Sequence, residues 1–221
     1  MKQYPVWLDP NHNDAFPHPE QALTEPDGLL AVGGDLSAQR IINAYKHGIF
    51  PWYNPGEPIL WWSPNPRAVL FPEQLHLSKS LKKIIRQGVF TTTINQAFSQ
   101  VISNCAQTPR NGQNGTWITD EMQQAYIKLH NQGIAHSAEC WQDGKLVGGL
   151  YGLSLGKVFF GESMFAHKSN ASKVAFVHLV DELVKKHYAV IDCQVTTEHL
   201  LSLGAQEIPR KEFLKLLKQY T

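Results

Sequence analysis

The tract from Ala135 to Val195 constrains the fold more than any other part of the chain. "AHSAECW" and "KLVGGLYGL" read as two strands on either side of Asp143-Gly144, a hairpin turn signal. "GKVFFGESMF" follows a second Gly-bearing turn and reads as a third strand. "NASKVAFVHLVDELVKKH" then repeats apolar residues at helical spacing, and "YAVIDCQV" returns as a strand. Meander, helix and strand in that order predict an α/β layer built on a mixed sheet.

The flanking segments fit the same picture. "SKSLKKIIRQG" predicts a helix capped by Ser78 and stopped at Gly88, and "NQAFSQVISNCAQ" predicts one starting on Asn95. "TDEMQQAYIKLHNQG" has Thr119 as its cap, two acids in the first turn where the helix dipole favours them, and Gly133 as its stop. A short helix "EHLLSLG", the piece "AQEIP" and a last helix "KEFLKLLKQY" follow. This order is compatible with the acyl-CoA N-acyltransferase fold. Residues 1–66 are different in kind. They hold most of the thirteen prolines and four of the six tryptophans, and only one clear helix, "SAQRIINAYKHG". Proline removes backbone donors and fixes φ, so a small β-rich domain of turns and short strands is expected over 1–66. A catalytic domain of the mixed-sheet kind is expected over 67–221.

Twenty basic against nineteen acidic side chains leave a net charge near +1, so any nucleic-acid contact must come from a local basic patch. One such patch is Lys79, Lys82, Lys83 and Arg86, at i, i+3, i+4 and i+7 on one helix stripe. It reads either as a solvated face or as a stripe that tracks phosphates. The three cysteines are widely spaced without a CxxC pair, which argues for a reducing compartment rather than a disulfide framework. No metal-ligand spacing, P-loop or GxGxxG pattern is present. No run approaches eighteen apolar residues, and the cytoplasm is the expected location.

Three polar residues stand in apolar settings. Asp192 and Gln194 interrupt a strand, and alternation places them on one face while Ile191 and Cys193 share the other. Glu162 sits between "FFG" and "SMF". Buried polar side chains need partners or a ligand, so the three read either as caps or as the lining of one cleft. The aromatic residues of "FPWYNPGEPILWWSP" and Trp117 either pack a core or stack an unpaired base, worth ~1–3 kcal/mol each. The loop with which acetyltransferases of this fold grip CoA is missing from the start of the long helix, where "HKSNASK" stands.

Several stretches together resemble one family: "EPDGLLAVGGDLS", "AYKHGIFPWY", "PILWWSPNPRAVLFPE", "GTWIT", "LVGGLYG", "FFGESMF", "NASK", "IDCQ" and "SLGAQEIPR". In order and spacing they are similar to bacterial leucyl/phenylalanyl-tRNA–protein transferases, from about Phe16 onward. The loop "AQTPRNGQNG" before Trp117 is a little longer than in that pattern. The resemblance implies transfer of Leu or Phe, and Met less readily, from aminoacyl-tRNA to proteins beginning with Lys or Arg, marking them for N-degron proteolysis. It implies that Tyr45, Trp52 and Trp117 hold the terminal adenosine of the tRNA. Leu150, Phe159, Phe176 and Ile191 would take the Leu or Phe side chain, and Glu162, Asp192 and Gln194 would face the reacting groups. Lys79, Lys82, Lys83 and Arg86 would touch the acceptor stem. It implies neither metal nor other cofactor. The expected local geometry is an Asp192 carboxylate that holds the side-chain amide of Gln194, whose carbonyl oxygen then faces the attacking amine. Two further readings are a CoA-dependent acetyltransferase and a non-catalytic RNA- or peptide-binding module.

Overall fold

Four short strands, β1 (Val6–Leu8), β2 (Leu29–Gly33), β3 (Phe50–Pro51) and β4 (Leu60–Trp62), form a small sheet in the order β1-β2-β4-β3. The computed structural model describes residues 4–11, 15–108 and 116–221, so most of the long loop before Trp117 lies outside the described residues. The strands are short because prolines interrupt this part of the chain and cannot donate to a ladder. Its one α-helix, α1 (Ala38–Lys46), starts where the Ser37 hydroxyl accepts the Arg40 N–H at 3.3 Å.

The chain leaves the small sheet after Trp62 and enters the large one at β5 (Arg67–Leu70). Helix α2 (Lys79–Gln87) runs from its Ser78 cap to Gly88, which takes the left-handed conformation. Strand β6 (Thr91–Ile94) precedes α3 (Phe98–Gln107) and α4 (Asp120–Asn131). The meander is β7 (Ala135–Gln142), β8 (Lys145–Leu155) and β9 (Val158–Ala166), with Asp143 and Gly144 both at positive φ in its first turn. Helix α5 (Ala171–Lys185) crosses over to β10 (Val190–Gln194), and α6 (Glu198–Ser202), β11 (Gln206–Ile208) and α7 (Arg210–Tyr220) follow. The large sheet has the order β11-β5-β10-β9-β8-β7-β6. Only β9 and β10 pair parallel within it, which is why a helical crossover separates them. The fold is mixed α/β, with the meander, helix and strand in the predicted order.

Three local expectations change. Helix α3 begins at Phe98, not Asn95. Asn95 instead has φ 59°, and its side-chain oxygen accepts the Ser137 N–H at 2.9 Å, so it is spent on the β6–β7 edge. Strands β5 and β6 were not anticipated, each being four residues long and lacking a hairpin partner in sequence. "AQEIP" supplies β11, which pairs with β5.

The sheet has a core on each face. On one side, α5 packs over the sheet in one cluster with Leu150, Phe159 and Ile191, and α2 packs against α5. On the other, α3 and α4 pack with Tyr151 and Phe160, and the same cluster includes Ile41 and Tyr45 of α1 and Trp61 of β4. Residues on either side of position 66 therefore share one apolar core, and α1 reaches across to the large sheet.

Candidate active site

The parallel ladder between β9 and β10 stops at the pair Phe160–Asp192. Both strands bulge immediately beyond it. On β9 the register slips between Tyr151–Ser163 and Gly152–Gly161, leaving Glu162 as the extra residue. On β10 it slips between Asp192–Val69 and Gln194–Ala68, leaving Cys193 as the extra one. Bulges re-aim side chains and end pairing, so two neighbouring strands separate where the chemistry-bearing residues stand. A cavity of about 320 Å³ opens there, lined by Leu150, Glu162, Met164, Phe176, Ile191 and Gln194, among others.

Glu162 meets two phenols. The Tyr45 hydroxyl donates to Oε1 at 2.6 Å and the Tyr126 hydroxyl to Oε2 at 3.1 Å, while the two hydroxyls lie 2.7 Å apart. With both phenols donating to a carboxylate, the contact between the two hydroxyls has no proton. A protonated Glu162 fills all three contacts only by donating to one phenol, which donates to the other, which donates back to the carboxyl. Burial pushes the carboxyl up to about 7; the two phenol hydrogen bonds oppose it, and the nearby Asp192 charge adds to it. Burial, then the Glu162 charge, also hold both phenols well above their ordinary value.

Asp192 is solved differently. Its carboxylate takes a two-pronged bond from Arg67, Nε to Oδ1 at 2.8 Å and Nη2 to Oδ2 at 2.7 Å, with both side chains fully buried. Arg67 Nη1 donates to the Gly48 carbonyl at 3.0 Å, and the guanidinium lies between the Phe50 and Phe213 rings at 4.9 and 4.7 Å. Asp192 Oδ1 also accepts the backbone N–H of Gln194 at 3.0 Å. Gln194 adopts φ 58°, left-handed backbone that costs a side-chain-bearing residue roughly 1–2 kcal/mol.

This corrects two expectations. The twist at Gln194 breaks the alternation, so Asp192 and Gln194 do not share a face: Gln194 lines the cavity with Ile191 and Cys193, and Asp192 does not. Asp192 holds the main-chain N–H of Gln194 rather than its side-chain amide, because Arg67 and that N–H already occupy it. The Gln194 Nε2 is buried with no hydrogen-bond partner among the described residues.

The other candidates divide. Leu150, Phe176 and Ile191 line the cavity. Phe159 does not; its ring lies over Gly152, where an added Cβ would come within 2.6 Å of it, and it borders a separate hollow with Leu179 and Tyr188. Tyr45 is fully buried beneath Glu162, so its ring offers no face to a base in this arrangement. Trp117 is 8% exposed and Trp52 is 39% exposed, its ring tilted 5.8 Å from Trp62. The segments of these two tryptophans meet through Tyr53 and Thr119, whose hydroxyls lie 3.4 Å apart, and neither tryptophan lines the cavity. Lys79, Lys82, Lys83 and Arg86 are all exposed on α2. A second hollow brings Ile84 and Ile85 of α2 to the side of α5 that carries Val174, Val177 and Asp181, roughly opposite Phe176 at about 100° per residue. No cluster of three or more His, Cys, Asp or Glu that could hold a metal occurs among the described residues.

A sequence profile of leucyl/phenylalanyl-tRNA protein transferases matches residues 69–218, and one of their N-terminal domain matches residues 34–65. The chain belongs to this family. The leucyl/phenylalanyl-tRNA–protein transferase of Cellvibrio japonicus is 56% identical over 215 residues, 97% of this chain and 91% of that one. Those of Azotobacter vinelandii and Pseudomonas aeruginosa are 58% and 57% identical, covering 93% and 97% of this chain and 91% and 94% of their own. Among solved structures, a GCN5-related N-acetyltransferase from Kribbella flavida superposes with a TM-score of 0.40 at 9% identity, over 76% of this chain and 59% of that one. As a member of the family the protein is an aminoacyltransferase, moving an aminoacyl group from tRNA to protein.

Two residues of the site escaped the sequence reading. Arg67 stands at the head of a four-residue strand, and only a charge followed by the apolar "AVL" hints that it turns inward. Tyr126 falls on the buried side of α4 with Met122 and Leu129, where a tyrosine reads as core. Its partner lies 36 residues away on another element.

Proposed function

We propose that the protein transfers Leu or Phe, and Met less readily, from aminoacyl-tRNA to the α-amino group of proteins beginning with Lys or Arg, in the cytoplasm, marking them for N-degron proteolysis. The single observation that carries this reading is an apolar recess with a carboxyl and an amide at the point where β9 and β10 separate. Leu150, Met164, Phe176 and Ile191 form walls that suit an unbranched, γ-branched or aromatic side chain and offer nothing to a polar one. Such walls discriminate one methylene by only ~1–3 kcal/mol, which favours a small set of accepted residues over a single one.

The donor ester is already activated. The attacking amine forms the new C–N bond, the C–O bond to the ribose breaks, and the amine proton ends on the departing ribose oxygen. An α-amino group has a pKa of about 7.7–8.0, so roughly a tenth is free at pH 7. With its carboxyl at about 7, Glu162 can take the proton from the remainder at a cost of about 1 kcal/mol, where an ordinary glutamate would face about 4–5. Alignment supplies more than that, ~7–11 kcal/mol in well-oriented systems. Gln194 orients the amine through its carbonyl oxygen. In this reading Trp52 stacks the terminal adenosine with Trp117 behind it, and the exposed α2 stripe touches the acceptor stem.

The test mixes Leu-tRNA carrying labelled Leu with two peptides that differ only in an N-terminal Arg or Ala. Label on the Arg peptide alone is the expected result. Equal labelling of both, or equal transfer of Ser and Leu from matched tRNAs, overturns the reading.

A further inference from the structure

We propose that Arg67 is a positioning residue for the transfer: through Asp192 it locks Gln194 into the left-handed, bulged backbone that turns its amide into the cavity. The inference rests on the reading of that recess as the place of transfer. The chain of contacts is continuous. The Gly48 carbonyl and the rings of Phe50 and Phe213 fix the guanidinium; the guanidinium fixes both carboxylate oxygens of Asp192; Asp192 Oδ1 fixes the Gln194 N–H. Gln194 has only one ladder neighbour at this point, β5, because its pairing with β9 has ended. Left to itself, a residue with a long side chain leaves the left-handed region. Extended backbone would restore alternation and swing the amide to the opposite face of β10.

Stability alone does not account for the pair. Replacing a buried ion pair by apolar residues of similar volume is often neutral or stabilising, so the pair's distinctive output is the geometry it imposes. A lysine at position 67 would keep the charge and lose the fork, because a single ammonium cannot match two carboxylate oxygens and the Gly48 carbonyl in one plane. The assignment also removes Asp192 from proton transfer: it neither lines the cavity nor has an oxygen free of Arg67.

The experiment compares wild type, Arg67→Lys and the paired replacement Arg67→Met with Asp192→Leu, each also combined with Gln194→Ala. Transfer of Leu to the Arg peptide should fall about tenfold to a hundredfold in kcat for both replacements, with the KM for Leu-tRNA within about twofold. In the Gln194→Ala background the same replacements should change kcat by less than about twofold, because residues acting as one unit are not additive. Native-state hydrogen exchange gives a readout independent of activity. The Gln194 amide should be as protected as that of Ile191 in wild type, and selectively faster in both replacements.

An unchanged kcat, an equal loss in the Gln194→Ala background, or a Gln194 amide that already exchanges freely in wild type overturns the proposal. The paired replacement keeps the test alive if Arg67→Lys does not fold, and the wild-type exchange result stands if neither does. A wild-type enzyme that fails to transfer Leu would instead sink the proposed function and leave the exchange result untouched.

Discussion

Two carboxyl groups stand at the bulges of neighbouring strands, Asp192 fully buried and Glu162 half-buried beside the cavity, and their surroundings differ in kind. Asp192 faces a guanidinium that can never give up its charge, so the pair is a fixed joint between β5, β10, α7 and the turn after α1. Glu162 faces two phenols and a cavity, with no cation hydrogen-bonded to it, and its proton can come and go. A permanent counter-charge makes an acid into a structural element. Neutral donors and partial burial make an acid into a titrating one. A third acid, Glu139, fully buried on β7, sharpens the contrast: it takes bonds from Thr93, Ser137 and the Ala97 N–H, borders none of the cavities described above, and is a bracket for the start of α3.

The largest expected effect separates the two acids by stability. Asp192→Ala leaves the Arg67 charge buried and unpaired and should cost about 3–5 kcal/mol in urea unfolding at pH 7. Glu162→Gln replaces a half-protonated carboxyl by a neutral isostere and should cost far less. Equal costs would erase the distinction drawn between them.

The next effect is the pH dependence of that stability. The native carboxyl of Glu162 at about 7 lies above its unfolded value of 4.5, so the native state holds the extra proton between these limits. The contribution of this group is therefore most favourable below 4.5 and is lost as pH rises through 7, by up to about 3 kcal/mol. Glu162→Gln should remove this slope, so its stability relative to wild type should improve as pH rises from 4.5 through 7. A constant difference across that range would count against the titration.

Tyr126→Phe probes the phenol side alone. Losing a donor that favours the carboxylate should move the rising limb of transfer rate against pH upward by about one unit, equivalent to about 1.4 kcal/mol. The same change should leave the exchange rate of the Gln194 amide as it is. A shift in both would mean that the two acids behave as one network.

Smallest of all is Lys82→Ala, on a helix remote from either acid. Its effect on stability should stay within about 0.5 kcal/mol. If α2 touches the acceptor stem, the slope of log affinity for tRNA against log salt should drop by about 0.7–0.9 for the lost phosphate contact. An unchanged slope returns the stripe to a solvated face.

Much of the fold was legible. Ser37, Ser78 and Thr119 each announce a helix and each cap it, and the Asp143-Gly144 turn sets the β7–β8 hairpin, because caps and tight turns are governed by residues within a few positions of one another. The site was legible only as residue types out of place. Glu162 and Gln194 line the cavity as polar residues interrupting apolar strands should, while the face assigned to Gln194 by alternation was reversed by a bulge that no local pattern announces. Phe159 and Tyr45 look like lining residues in one dimension and are covered in three.

The order of elements, the apolar layers and the family membership are written in the linear chain, since each depends on short-range spacing or on matched stretches read in sequence. The partnership of Arg67 with Asp192 spans 125 positions, and that of Tyr45 with Glu162 spans 117. Electrostatic energy depends on separation in space and on the dielectric around the charges, and neither exists until the strands have packed. Which acid is a joint and which is a proton carrier was therefore decided by the fold.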